Sequence, residues 1–176
     1  IIDEAYRGVL KQVFIAIGYP VHDRAGYVSG EPYLFALRDR SPADGTPFSL
    51  RDYQQQAARG FMGDDTMPGG SGVVVLPCGA GKTVVGLAVM HLLQRKTLIL
   101  VTNITAARQW KREIIDKTTI PAEDIGEYSG ENKEIKPVTL ATYQILTYRR
   151  KKEEQFVHYG VFDSQNWGLI LYDEVH

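Results

Sequence analysis

Residues 76–85 read Leu-Pro-Cys-Gly-Ala-Gly-Lys-Thr-Val-Val (LPCGAGKTVV), set between the apolar runs Val73–Leu76 and Thr97–Val101. Gly79, Gly81, Lys82 and Thr83 are the residue types that a phosphate-cradling loop requires. Glycines let successive backbone N–H groups converge on an anion, and the helix that follows adds the positive end of its dipole. A lysine then neutralises phosphate oxygens, and a threonine hydroxyl ligates Mg²⁺. Pro77, Cys78 and Ala80 complete the loop. Leu76 stands where such loops usually open on a small residue, and it is read as closing a strand instead.

Working outward, four short apolar runs punctuate the chain: Val73–Leu76, Thr97–Val101, Val138–Ala141 and Leu169–Tyr172. They are continuous rather than alternating, the pattern of parallel strands buried on both faces. Thr83–Gln94 is apolar almost all round, so a covered helix is expected between the first two runs. Strand, turn, helix and strand in about thirty residues make a βαβ unit, which predicts an α/β fold with a mostly parallel sheet. Further helices are expected over 103–117 and Tyr143–Lys152. The last run ends in two acids, "LILYDE", some ninety residues beyond the loop. In an open parallel sheet both strands would deliver their C-terminal ends to one edge, where ligands bind. Asp173 would then hold Mg²⁺, and Glu174 would orient and deprotonate an attacking water. Loop and acidic strand end together imply an ATP site.

The composition narrows the classes. With 176 residues and 44% apolar side chains the chain can build one sizeable core, or one domain and part of another. A net charge of −1 offers no global field, so a nucleic-acid partner would need a local groove. The single cysteine, Cys78, excludes an internal disulfide framework, and no Cys/His cluster has zinc-ligand spacing. No apolar stretch reaches the roughly 18 residues of a membrane span, and no signal peptide opens the chain. A soluble cytoplasmic protein without a membrane partner is expected. The chain begins without Met and breaks off inside a candidate site, as a fragment would.

Ile2, Tyr6, Val9, Val13 and Ile17 carry the stripe of an amphipathic helix, ended by Gly18 and Pro20. Glu31–Arg38 reads as a short strand, and Asp39–Pro47 has the composition of a linker. Gly60–Gly72, with five glycines, reads as a flexible connection.

Asp173-Glu174-Val175-His176 is the DExH form of the second motif of superfamily 2 helicases. Leu50–Gln54 (LRDYQ) resembles their adenine-reading motif. Val101–Trp110 (VTNITAARQW) resembles motif Ia, and Thr139–Leu146 (TLATYQIL) resembles the motif that follows it. The combination LPCGAGKT with DEVH is most similar to the XPB family of superfamily 2 DNA helicases, its bacterial members above all. The resemblance covers residues 50–176 and, more loosely, the first 45. It implies that residues 46–176 are the first RecA-like, P-loop ATP-binding domain, truncated after the second motif. Residues 1–45 would be the tail of an accessory or damage-recognition-like domain with its linker.

The resemblance further implies that Arg51 and Gln54 contact adenine, and that Lys82 and Thr83 hold phosphate and Mg²⁺. Asp173 and Glu174 would run hydrolysis. Thr102, Asn103, Thr142 and Tyr143 would touch the DNA sugar-phosphate backbone, and His176 would couple the ATP state to the rest of the motor. The implied whole is an ATP-dependent 3′–5′ DNA helicase of DNA repair acting on single strands or forks. A second RecA-like domain in cis would supply the arginine finger, and a repair nuclease or other repair proteins would be partners. A duplex translocase, the motor subunit of a restriction system, and a DNA- or partner-binding module that never turns over remain alternatives.

Plainer readings stand beside these. Arg108, Lys111 and Arg112 are read as an exposed helix face, and Arg149–Glu154 as a salt-bridged surface helix. Trp110 and Trp167 are read as core, and His22, His91 and His158 are given no chemistry.

Overall fold

The computed structural model describes residues 6–19, 29–63, 70–77, 79–151 and 155–174. In chain order its elements are α1 (Arg7–Ala16), α2 (Asp52–Met62), α3 (Lys82–Leu93), β1 (Thr97–Val101), α4 (Ile104–Lys117), β2 (Ile125–Tyr128), β3 (Val138–Thr142), α5 (Tyr143–Leu146) and β4 (Leu169–Tyr172). The four strands form one parallel sheet in the order β2-β3-β1-β4. Thr97 lies opposite both Val138 and Leu169, so the three strands start level and finish at one edge.

The continuous apolar runs behave as two-sided burial requires. Every residue of β1 and β3 is buried. Ile99, Val101, Val138 and Leu140 join the larger core beneath α2, α3 and α4, while Leu98, Leu100 and Ala141 join a smaller core with Ile145 and Leu146 of α5. α3 is covered as expected, with Val85, Leu87, Ala88, Val89 and Met90 buried. Thr97 and Thr139, also buried, satisfy their hydroxyls locally by donating to Arg95 O (3.0 Å) and Lys136 O (2.8 Å).

Several expectations are corrected, and one strand is new. Val73–Leu76 is not a strand of the sheet: among the described residues it has no ladder partner, and Val73 and Val75 are 89% and 86% exposed. An apolar run becomes a strand only where a neighbour completes its hydrogen bonds, and here a groove of about 570 Å³ separates it from the free edge of β4. β2, by contrast, was not foreseen, because Ile-Gly-Glu-Tyr carries no apolar run; as an edge strand paired with β3 alone it needs none. The helix expected over Tyr143–Lys152 stops at Leu146. There Thr147 Oγ1 turns back onto Tyr143 O (2.9 Å), and Tyr148 O accepts from Val157 N (3.1 Å), which draws the chain into another path. Lastly, α2 runs through Gly60 to Met62 with Phe61 against the core, so the start of the expected flexible connection is helical.

Glu31–Arg38 forms isolated antiparallel bridges, Pro32 with Arg95 and Leu37 with Thr118, instead of a strand. It nevertheless packs firmly. Gln94 closes α3 in the left-handed region (φ 54°), where its side-chain amide exchanges two hydrogen bonds of 2.8 Å with the backbone of Phe35. Phe35 is buried in the larger core. Arg38 N donates to Lys117 O (2.8 Å), and Ser41 Oγ to Asp116. The first helix forms as its periodicity predicts and ends at Gly18 (φ 82°). Its stripe faces outward, with Tyr6, Val9, Val13 and Ile17 exposed; Ile2 and Pro20 lie outside the described residues.

If Gly30–Phe48 belongs to the fold, Phe35→Ala should lower the unfolding free energy by about 3 kcal/mol, as for other buried aromatics. The urea midpoint should fall at an unchanged slope. A change below about 0.5 kcal/mol, the level of an ordinary surface substitution, would mean that the segment merely rests on the surface.

Candidate functional site

The loop meets the start of α3 as its sequence requires. Gly79 and Gly81 both take positive φ (77° and 80°), a region that disfavours residues with a Cβ. At Gly81 a Cβ would also lie 2.6 Å from Gln54 Nε2. Val85 is the first residue of the helix whose N–H reaches a carbonyl within it, Gly81 O at 3.1 Å. The N–H groups of Lys82, Thr83 and Val84 are therefore left over by the helix, as at any helix start, and form an anion-binding end. Lys82 is exposed and Thr83 half-buried in that first turn.

α2 holds the loop from the other side. Tyr53 Oη and Gln54 Nε2 both donate to Ala80 O, at 2.6 and 3.1 Å, and Gln54 Oε1 accepts from Arg51 N at 3.0 Å. Gln54 is buried, while Arg51 is exposed and reaches Tyr53 Oη at 3.3 Å. The motif thus acts on the loop directly. The LRDYQ stretch contains Tyr53, but the resemblance assigns roles only to Arg51 and Gln54; the place of Tyr53 next to Gln54 is the signal for it.

β4 carries the acids to the same place. Asp173 N donates to Leu100 O (2.9 Å), which continues the ladder one residue past the strand. Asp173 is half-buried, and Glu174 is exposed with φ +54°. For a residue with a Cβ that conformation costs roughly 1–2 kcal/mol, and such strain gathers at functional sites. Lys82, Asp173 and Glu174 line one groove together with Gly86 and Trp110. Trp110 Nε1 donates to Asp173 Oδ2 at 2.7 Å, and Tyr143 Oη donates to Asp173 O at 2.9 Å. Burial, with the nearby Asp173 charge as a smaller cause, pushes the Tyr143 phenol up to about 12. Tyr172, beside it, is also raised by burial.

The donor set suits a hard cation. Among the described residues no three His, Cys, Asp or Glu side chains converge as in a protein-only metal cage. Asp173 lines the groove and Thr83 stands beside Lys82 in the first turn of α3; a carboxylate and a hydroxyl are the donor types of an ion such as Mg²⁺ that keeps waters and takes its remaining oxygens from phosphates.

The other sequence candidates fall as follows. Pro77, Ala80 and Gly81 stand in the loop; Cys78 and His176 lie outside the described residues. Thr102 and Asn103 follow β1, and Asn103 caps α4 by accepting from Ala106 N at 2.9 Å. Thr142, opposite Val101, is buried, and the Tyr143 hydroxyl turns inward to Asp173. Arg108 is exposed and pairs with Glu131 (3.1 Å), Arg112 is exposed, and the Arg149 guanidinium lies over the Phe156 ring at 4.5 Å. His91 contacts Phe35 O and Gln94, His158 contacts Tyr128 Oη, and His22 is outside the described residues. Among the described residues no helix is long and apolar enough to cross a membrane.

A phosphate-cradling loop at a helix start, facing an acidic strand end on a parallel sheet, defines a P-loop nucleotide-binding α/β domain. The chain belongs to the family described as "Type III restriction enzyme, res subunit", which matches residues 47–176. It is 52% identical over 176 residues to the DNA 3′-5′ helicase XPB of Mycobacterium tuberculosis, covering 100% of this chain and 30% of that protein. Against the DNA 3′-5′ helicase XPB of Kineococcus radiotolerans it is 52% identical over 170 residues, 97% of this chain and 28% of the other. The chain thus spans less than a third of the length of these relatives. The crystal structure of the UvsW helicase from Bacteriophage T4 shares the fold, with a TM-score of 0.54, 14% identity, and coverage of 96% of this chain and 70% of that one.

The raised Tyr143 value makes a pH prediction. The folded state holds this proton more tightly than the unfolded chain, whose phenol titrates near about 10. Stability should be at its full level below that pH and fall as pH rises toward about 12. Urea midpoints followed from pH 9 to 11 should drop less steeply in Tyr143→Phe than in the wild type. Equal slopes would show that the hydroxyl is not buried beside Asp173.

Proposed function

We propose that the groove binds Mg·ATP and that the protein to which this chain belongs is an ATP-dependent 3′–5′ DNA helicase. The observation that carries the reading is the meeting of Lys82 with Asp173 and Glu174 across one groove, at the sheet edge where α/β ligands bind. The names and 52% identity of the XPB relatives support it.

On this reading Lys82 and the loop from Pro77 through Cys78, Gly79, Ala80 and Gly81 to Thr83 take the phosphates, every loop residue except Pro77 offering a backbone N–H. Arg51 and Gln54 read the adenine, the exposed Arg51 from outside and Gln54 from its seat against the loop. Thr83 and Asp173 would hold the cation, which would supply charge neutralisation at the phosphates. Glu174 orients the attacking water and takes its proton. Thr102 and Asn103, at the end of β1, contact the DNA backbone; Thr142, buried opposite Val101, and Tyr143, whose hydroxyl is held by Asp173 O, support that edge from within. His176 couples the ATP state to a second RecA-like domain in cis, the source of an arginine finger. Residues 1–45 as the tail of an accessory domain, docked from Gly30 onward against the ATP-binding core through Phe35 and Arg38, action on single strands or forks in DNA repair, repair nucleases or other repair proteins as partners, and a cytoplasmic place at the nucleoid (or nuclear in a eukaryote) belong to the same proposal. A restriction-system motor is the second reading, favoured by the description of the matching family; strand displacement separates the two, because a translocase hydrolyses ATP on duplex without unwinding it.

Lys82 and Glu174 test the site in opposite ways. Lys82→Ala should weaken binding of a fluorescent ATP analogue by about 2 kcal/mol, the worth of a charge-assisted contact. Glu174→Gln should leave binding intact while abolishing hydrolysis in the whole motor. If both variants lost binding equally, Glu174 would be a structural or metal-holding residue and its role with water would be wrong.

A further inference from the structure

Three features of the groove converge on a residue so far given no role. Trp110, in α4, is buried, and its indole N–H ends 2.7 Å from Asp173 Oδ2, 63 positions away. The ring reaches that point by passing over Gly86 of α3, where a Cβ would lie 2.7 Å from Trp110 Cη2. A glycine inside a helix is unfavourable by about 1 kcal/mol relative to alanine, and the passage of the indole accounts for it here. The third feature is the donor's chemistry. An indole N–H donates and cannot accept, while a carboxylate accepts. The indole is also neutral, so it fixes the carboxylate without cancelling the negative charge that a cation needs, as a lysine or arginine in its place would.

We propose that Trp110 is the positioning residue of the metal-holding carboxylate, committing Oδ2 of Asp173 to the protein and turning Oδ1 to the ligand, and that Gly86 is glycine to admit the indole. The proposal rests on Asp173 being the cation ligand. Groups that hold a ligating carboxylate typically alter metal affinity by about 10- to 100-fold when removed. The hydrogen bond from Tyr143 to the Asp173 carbonyl anchors the backbone of the same residue and leaves the carboxylate's rotation to Trp110.

The test titrates Mn²⁺ into the 176-residue chain with ADP, following bound metal by electron paramagnetic resonance. Affinity for a fluorescent nucleotide is measured separately in EDTA, and folding is checked by circular dichroism. Trp110→Phe, which keeps most of the ring and loses the N–H, should raise the half-saturating Mn²⁺ concentration about tenfold with nucleotide binding in EDTA unchanged. Gly86→Ala, which obstructs the indole without altering it, should shift Mn²⁺ in the same direction and carries the test if Trp110→Phe does not fold. A folded variant with wild-type Mn²⁺ affinity, or one losing affinity equally with and without metal, would overturn the proposal and leave Trp110 as packing. Asp173→Asn separates the two levels. Wild-type Mn²⁺ binding in that variant would sink the cation site itself and the proposal with it. Loss of binding there, beside an unmoved Trp110→Phe, would sink only the role of Trp110.

Discussion

Asp173 is fastened from three directions, and the geometry of the site depends on that fastening. Its N–H belongs to β1 through Leu100 O, its carbonyl to α5 through Tyr143, and its carboxylate to α4 through Trp110. β4 needs such help. It is an edge strand of four residues, bonded among the described residues to β1 alone, and Ile170 and Tyr172 are exposed. An edge of that length holds a terminal side chain poorly by its ladder alone. With Asp173 fixed, the chain can enter the left-handed conformation of Glu174, which the surroundings must maintain against its intrinsic disfavour.

The loop across the groove is restrained by the opposite device. There the flexible element is a run of glycines, and two side chains of α2 converge on one carbonyl, Ala80 O. Since Tyr53 and Gln54 occupy the acceptor, the donors of the helix start remain for an anion. α2 packs against α3, and Ala58 and Phe61 of α2 reach the same core as Val85 and Val89. Both sides of the site are therefore positioned from the larger core, and the smaller core under α5 contributes through Tyr143.

Much of this could be read before any coordinates. β1, β3 and β4 declared themselves as apolar runs because two-sided burial leaves no room for alternation, and the loop because no other local chemistry needs Gly79, Gly81, Lys82 and Thr83 together. What failed did so where identity depends on a distant neighbour. Val73–Leu76 has the composition of a strand but no partner edge within reach; Ile125–Tyr128 has a partner but not the composition. Trp110 was assigned to the core and does lie there, yet its hydrogen bond spans 63 positions and leaves no periodic trace. Gly86 carried a faint signal, a glycine inside an otherwise apolar helix, which acquires meaning only once the indole is placed against it.

The claim that the loop and the acidic strand end form one nucleotide site is tested most directly by nuclear magnetic resonance on the ¹⁵N-labelled chain during addition of Mg·ADP. The backbone amides of Gly79, Gly81, Lys82 and Thr83 should shift together with the indole N–H of Trp110, all saturating at one dissociation constant, while the amides of residues 30–48 stay in place. Nucleotide binding that leaves the loop amides unmoved, or that moves them without the indole, would contradict the account.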